Sequence, residues 1–259
     1  MRAFGALNGL RVGCVQYLNA KPLIVPYDGP VAYEHPARLA DMLAAGELDV
    51  ALVPVYEALR QPEYPVADGV AISSRGAVYS VVLAYAGRLE EIQAVTLDAA
   101  SRTSNNLLRC MLAEYHGLRP TFDGQGGVGP GRGLLLIGNQ AIRFREEKRP
   151  GVKYLDLGAE WLARTGLPFV YAVWQMRPEV GDAAGVAGAL RAVKEAGGRR
   201  LREIARLQRD FDEGFAQRYL TEFIKFDLGE EEKAGLVRFR ELLEGRGLLD
   251  AGRGGLRFV

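Results

Sequence analysis

The chain has 259 residues, 48% hydrophobic and 25% charged, the balance of a soluble globular protein with enough apolar material for a proper core. Lys and Arg number 33 against 32 Asp and Glu, a net charge of +1, so no global field gathers nucleic acid or an acidic membrane. An anionic ligand would have to be held locally, and no run approaches the roughly 18 apolar residues of a membrane span.

In chain order, Arg11 to Val15 reads as a short buried strand, with YLNAKPL, Tyr17 to Leu23, at its exit. Pro36 to Ala45 carries Leu39, Met42 and Leu43 at helical spacing, with Pro36 suited to the first turn and Gly46 to the stop. Asp49 to Pro54 is a continuous apolar strand, and helix feeding buried strand predicts a parallel sheet covered on both faces. Gly69 to Ala86 is β-rich and long enough to cross from one domain into another. A second unit opens with the strand Ala94 to Asp98. It continues through AASRTSNN into a helix bearing Leu107, Leu108, Met111, Leu112 and Tyr115, and includes the buried strand Leu134 to Ile137. Phe169 to Trp174 reads as the return crossing.

After Pro178 the composition shifts to Ala, Arg and Glu, with helical periodicity through Val186, Leu190 and Val193, through Leu201, Ile204 and Leu207, and from Leu236 to Leu243. These helices are expected to pack back onto the first domain with their charged faces in water. The expected organisation is a discontinuous first lobe, residues 1–85 and 177–259, and an inserted second lobe, residues 86–176. Two linking segments between them make a hinged cleft.

Several familiar chemistries are absent from the pattern. GQGGVG, Gly124 to Gly129, matches a dinucleotide fingerprint, but it runs into Pro-Gly-Arg-Gly rather than a helix and reads as a surface loop. No Walker lysine, nucleophile elbow or HExxH motif is present. His35 and His116 stand alone and read as structural, His116 at a helix end where a cation complements the dipole; no metal site is expected. Cys14 and Cys110 lie far apart, outside any CxxC pattern, and read as free buried thiols. Asn8, Arg11 and Gln16 interrupt every candidate secretory stretch, so a cytoplasmic protein is expected.

The informative polar residues cluster at strand exits. Ser101, Thr103, Ser104 and Asn105 sit between a strand and a helix. Their hydroxyls can cap the first helical N–H groups, or those N–H groups can receive a carboxylate or phosphate. The carboxyl end of a parallel strand is where open α/β sheets bind ligands. Arg102 either supplies a counter-charge or faces water. In LLLIGNQAI, Gly138 lets backbone and ligand approach closely, and Asn139 either orients that ligand or simply turns the chain. YLNA and Gly76 to Ser80 would form the opposite wall.

Four stretches in this order, YLNAKPL, GAVYSVVL, LDAASRTSNNLL and LDLGAEWLARTGLPFVYAVW, with GNQAI between the last two, resemble the menaquinone-biosynthetic chorismate dehydratases of the futalosine route. The resemblance spans roughly residues 10 to 176. It implies the type II periplasmic-binding-protein fold, α/β in two lobes about a central cleft with a hinge, working without a cofactor. The implied reaction removes water from chorismate to give 3-[(1-carboxyvinyl)oxy]benzoate.

On the matching positions the resemblance implies Asn19 and Ser80 as the catalytic pair, polarising the departing hydroxyl and restraining the enolpyruvyl arm. It implies Tyr17, Ser101, Thr103, Ser104, Gly138 and Asn139 as substrate-binding residues. Neither Asn nor Ser is a general base at neutral pH, so the substrate's own side-chain carboxylate would collect the proton. The family often has Asp where this chain has Asn139, and commonly a basic residue in place of Tyr79. Lys21 is expected to be exposed, and Trp161, Phe169 and Trp174 to pack in the core and hinge. Two other readings share the lobes. One is a solute-binding protein for a small anion. The other is the later, dihydroxynaphthoate-forming enzyme of the same route, expected to rely on a histidine that no cleft motif supplies.

Overall fold

Ten short strands and nine α-helices are found among residues 4–259, which the computed structural model describes; residues 1–3 of the expected first lobe lie outside the described residues. The strands are β1 (Val12–Cys14), β2 (Val31–Tyr33), β3 (Val50–Pro54), β4 (Val66–Ser74), β5 (Val81–Ala86), β6 (Ala94–Thr96), β7 (Thr121–Asp123), β8 (Arg132–Ile137), β9 (Val152–Asp156) and β10 (Phe169–Met176). They form two five-stranded sheets, ordered β2-β1-β3-β10-β4 and β7-β6-β8-β5-β9. β1 and β3 are buried at every position, which is why they read as unbroken apolar runs rather than alternating ones.

Both sheets are mixed, where a parallel sheet was expected. β1 runs parallel to β2 and β3, and β6 parallel to β7 and β8. β10 lies antiparallel to β3 and β4, and β5 antiparallel to β8 and β9. In each sheet the antiparallel strand is the one that has just crossed from the other lobe. β5 follows β4 without a crossover helix to restore the common direction.

Sheet membership also sets the lobe borders differently from 85/86 and 176/177. Val81–Ala86 pairs into the second sheet and Phe169–Met176 into the first. The apolar run from Gly69 to Ala86 is broken between Ser74 and Val81, where Gly76 (φ 106°) and Tyr79 (φ 64°) redirect the backbone. Hydropathy does not register that bend.

The helices are α1 (Pro36–Ala44), α2 (Val55–Arg60), α3 (Arg102–Tyr115), α4 (Gly138–Glu146), α5 (Leu157–Thr165), α6 (Ala183–Gly198), α7 (Leu201–Leu207), α8 (Glu213–Arg218) and α9 (Glu230–Glu244). α1 opens on Pro36 and stops ahead of Gly46, whose φ of 73° ends the helix, a conformation glycine adopts freely. α6 packs on β4 and on the 3-10 turn Leu18–Leu23, whereas α9 packs on both β10 and α3 and so touches both lobes. Gly124 to Gly129 is a loop between β7 and β8 with no helix after it.

Trp161, Phe169 and Trp174 are fully buried. Trp161, Phe169 and Phe239 meet edge to face at 5.1–6.3 Å, and Trp161 donates its indole N–H to the Pro168 carbonyl at 3.1 Å. The returning link is therefore pinned to α5 by a cluster whose members each bury enough surface to cost about 3–5 kcal/mol on truncation. Cys14 and Cys110 are buried and unpaired, and burial pushes each thiol up to about 12. Among the described residues no helix is long and apolar enough to cross a membrane.

Candidate active site between the lobes

Residues at the carboxyl ends of β1, β3 and β8, and in the loop after β6, line one cavity between the two sheets. Its polar lining is Tyr17, Asn19, Ser101, Thr103, Ser104 and Tyr171; Val15, Leu52, Ile72, Val78, Val81 and Ile137 supply apolar walls. No charged side chain lines it. Four helices instead open on it, since Pro36, Pro54, Ser101 and Gly138 are lining residues at the N-termini of α1, α2, α3 and α4. Helix N-termini carry partial positive charge and unsatisfied N–H groups, so this rim favours anions without a lysine or arginine.

YLNAKPL is a 3-10 turn, Leu18–Leu23, and α6 seats it from behind: a Cβ at Gly197 would collide with the Pro22 carbonyl. The turn presents Asn19, whose Oδ1 is buried without a protein partner. Burial pushes the Tyr219 phenol upward. Tyr219 donates to Ser80 Oγ at 2.6 Å. Ser80 itself is fully buried and lies behind the wall, between the lining residues Val78 and Val81. The structure thus places Ser80 behind the wall rather than on the cavity surface.

On the other lobe Ser101 caps α3, its Oγ accepting from the Ser104 N–H at 3.3 Å. Thr103 Oγ1 accepts the N–H of Tyr56, in the first turn of α2, at 3.1 Å. Each hydroxyl spends a lone pair on the backbone and keeps its proton for a ligand acceptor. Gly138 has φ 56°, and a Cβ there would sit 3.0 Å from Tyr17 Cδ2. Burial, and then the charge of Asp98, push the Tyr17 phenol up to about 12.

Two expected site residues turn elsewhere. Asn139 does not line this cavity; its Oδ1 accepts the Leu18 N–H at 3.0 Å and its Nδ2 reaches Asp210 at 3.4 Å. It ties α4 to the YLNAKPL turn and borders a neighbouring polar cavity with His35, Arg143 and Asp210. Arg102 points away from the site and grips Asp41 of α1 at 2.9 and 3.0 Å, with Glu57 of α2 at 3.2 Å. His116 pairs with Glu160 at 3.0 Å at the end of α3.

A family model described as menaquinone biosynthesis matches residues 10–245. The chain belongs to the menaquinone biosynthesis family. A curated relative from Thermus thermophilus, named chorismate dehydratase, is 32% identical over 257 residues, covering 90% of this chain and 94% of that protein. Among solved structures, a protein from Archaeoglobus fulgidus aligns with a TM-score of 0.72 at 17% identity, over 93% of this chain and 98% of its own. A Candida albicans protein, described as showing the generic periplasmic binding protein fold, aligns at 0.64 with 11% identity, over 94% and 92% of the two chains. The fold is therefore periplasmic-binding-protein-like.

In this member of the menaquinone biosynthesis family the site also draws on residues that sequence reasoning passed over. Tyr171 lines the cavity with its hydroxyl 2.9 Å from Ser74 Oγ. Tyr219 comes from the C-terminal helical tail, where no motif marks it. Asp156 accepts the backbone N–H groups of Val78 and Tyr79 at 3.0 and 2.8 Å while capping α5. Its signal was legible as a helix N-cap, an Asp directly before LGAEW, but not as a clamp on residues nearly eighty positions earlier.

Proposed function

We propose that this chain removes water from chorismate, forming 3-[(1-carboxyvinyl)oxy]benzoate for menaquinone synthesis by the futalosine route. The observation that carries the reading is the cavity's composition: hydroxyls, one amide and four helix N-termini, with no charged side chain, enclosed by both lobes. Two carboxylates fit such a rim, because oriented N–H groups and hydroxyl donors stabilise anions inside a dry cleft. The named activity of the Thermus thermophilus relative supports the same substrate.

The α3 end of the cavity, with Ser101 and Thr103, receives one carboxylate, and the ring lies against the apolar walls. Asn19 faces the ring hydroxyl, and its amide N–H stabilises the departing oxygen as negative charge develops there. As the C–O bond breaks, the neighbouring ring C–H gives up its proton, and that electron pair completes the aromatic ring. The base that takes this proton hands it to the departing hydroxide, so that water is lost overall. The cavity offers no carboxylate or histidine as base, so the substrate's enolpyruvyl carboxylate takes the proton. Positioning of that arm is then the main catalytic device. Two buried unpaired thiols suit a reducing cytoplasm.

Purified protein incubated with chorismate is expected to release the aromatic product, followed by its ultraviolet absorbance and mass. Asn19→Ala is expected to lower kcat by about a hundredfold or more. Saturable chorismate binding with no product would instead make the chain a solute-binding protein.

A further inference from the structure

We propose that Asn139 is a positioning residue for Asn19: from the second lobe it caps the turn that carries Asn19, and Asp210 sets the direction of its amide. The inference rests on the dehydratase reading above. Asn19 is the second residue of the 3-10 turn Leu18–Leu23, whose N-cap, Tyr17, makes no side-chain capping bond. The first N–H groups of a helical turn have no partner inside it. Leu18 opens the turn and is buried, so its N–H needs an acceptor from elsewhere. Asn139 Oδ1 supplies it at 3.0 Å. The cap comes from α4, in the second lobe, whereas the turn belongs to the first.

The other end of the amide fixes its direction. A backbone N–H can meet only the oxygen, so Nδ2 points away from Leu18 and reaches Asp210 Oδ2 at 3.4 Å. The second oxygen of Asp210 holds Arg143, one turn further along α4, at 2.8 Å. Asp210 lies in the short link between α7 and α8, and that link is built around one buried side chain. Gln208 accepts the N–H groups of Asp210 and Phe211 at 2.8 and 2.9 Å, and donates to the Ala205 and Phe211 carbonyls at 3.1 and 2.7 Å. A carboxylate held in this way favours the amide with nitrogen toward Asp210 and oxygen toward Leu18. Reversed, the amide would set oxygen against carboxylate and N–H against N–H. Leu18 is the residue before Asn19, so the tether acts one position from the group that faces the departing hydroxyl. It forms only when α4 stands against the first lobe, which makes closing the cleft and aiming Asn19 one event.

Asn139→Ala removes the cap without touching the cavity lining. Its kcat is expected to fall about 10- to 100-fold while chorismate KM stays within about threefold, because a displaced Asn19 is felt in the transition state. In the Asn19→Ala background the same substitution is expected to change kcat by less than about twofold, since residues acting as one unit are not additive. Asn139→Asp keeps an acceptor for Leu18 but sets a carboxylate against Asp210, with an expected loss of about 5- to 10-fold. Adding Asp210→Asn gives that carboxylate an amide partner and is expected to return kcat to within about twofold of wild type. Full kcat in Asn139→Ala, a rise in KM alone, multiplicative losses with Asn19→Ala, or no recovery in the Asp/Asn exchange would each overturn the proposal.

A second readout needs no turnover. In an NMR spectrum of ¹⁵N-labelled protein the Leu18 backbone amide is expected to exchange its hydrogen at least about tenfold faster in Asn139→Ala, as a buried hydrogen bond is lost. The Asn19 side-chain amide signal, identified by its loss in Asn19→Ala, is expected to shift in the same variant. Unchanged exchange, or an unmoved Asn19 signal, overturns the proposal. Should Asn139→Ala fail to fold, Asn139→Asp with and without Asp210→Asn carries the same measurements. A wild-type protein that makes no product refutes the dehydratase reading alone, since both signals are read without substrate.

Discussion

Tyr79 donates its backbone N–H to Asp156 Oδ2 at 2.8 Å, and Tyr79 is one of two described non-glycine residues with positive φ. A left-handed tyrosine costs about 1–2 kcal/mol, so something must over-determine it. Asp156 does so by also accepting from Val78 at 3.0 Å, and it caps α5 at Gly158 and Ala159, both 3.1 Å away. Arg145 stacks on the Tyr79 ring at 3.8 Å, and the next residue along is Ser80. Asp156→Ala removes a helix cap and leaves two link N–H groups unsatisfied, with an expected loss of about 3 kcal/mol in urea denaturation. Asp156→Asn keeps one acceptor and should lose less. A loss below about 1 kcal/mol in the alanine variant would mean the link is held by other contacts.

Gly138 is a position where both backbone and space forbid a side chain. Its φ is 56°, and an added Cβ would lie 3.0–3.1 Å from three carbons of the Tyr17 ring. Gly138→Ala is expected to cost about 1–2 kcal/mol in backbone strain and to push Tyr17 toward the ligand space. Chorismate KM should rise about tenfold or more, since small displacements at a reacting site are expensive. Steady-state kinetics together with a thermal melt separate the two effects. Unchanged KM with a lowered Tm would detach Tyr17 from substrate binding.

What the sequence made legible was local. A strand exit followed by hydroxyl residues and a helix, as at Ser101 to Asn105, advertises its capping chemistry within five positions, and Ser101, Thr103 and Ser104 do line the cavity. The YLNA turn is likewise readable because its residues belong to one stretch. What stayed hidden depends on tertiary arrangement. Tyr219 lies 139 positions from Ser80, and nothing in its helical surroundings distinguishes it from a packing aromatic. The border between lobes fell inside one apolar run, because a bend made by Gly76 and Tyr79 leaves hydropathy unchanged. Asn139 sits in a ligand-like position of the chain, yet its side chain turns to Leu18 and Asp210. An Asp there could still accept from Leu18 but would repel Asp210, so the amide suits this particular neighbourhood.

Arg102 ties α3 of the second lobe to α1 and α2 of the first. Its guanidinium bridges Asp41 and Glu57, and Glu57 is only 3% exposed. Removing Arg102 leaves that carboxylate with Arg60 alone, at 3.0 Å. Breaking a buried pair typically costs about 3–5 kcal/mol; with one partner retained, Arg102→Ala is expected to cost about 2. Lys at this position should recover less than half of the loss, because it cannot present the planar fork. Looser closure is expected to raise the radius of gyration of the ligand-free protein in X-ray scattering. An unchanged scattering profile with full stability would show the tie to be surface decoration.

The cavity walls carry no group that changes charge near neutrality, and this has a kinetic signature. Burial pushes the Tyr17 phenol up to about 12 and drives Tyr219 and Tyr171 upward as well. A phenol is neutral below its pKa, so an upward shift keeps all three protonated through the working range. Asp98, whose charge acts on Tyr17 from outside the lining, is raised by burial but starts from 3.8. With the substrate's carboxylate as the base and no wall residue titrating, kcat is expected to vary by less than about twofold between pH 7 and 9. A steep limb within that window, persisting at saturating chorismate, would reveal a titrating protein group in the rate-limiting step. The assignment of the proton to the substrate's own arm would then have to be abandoned.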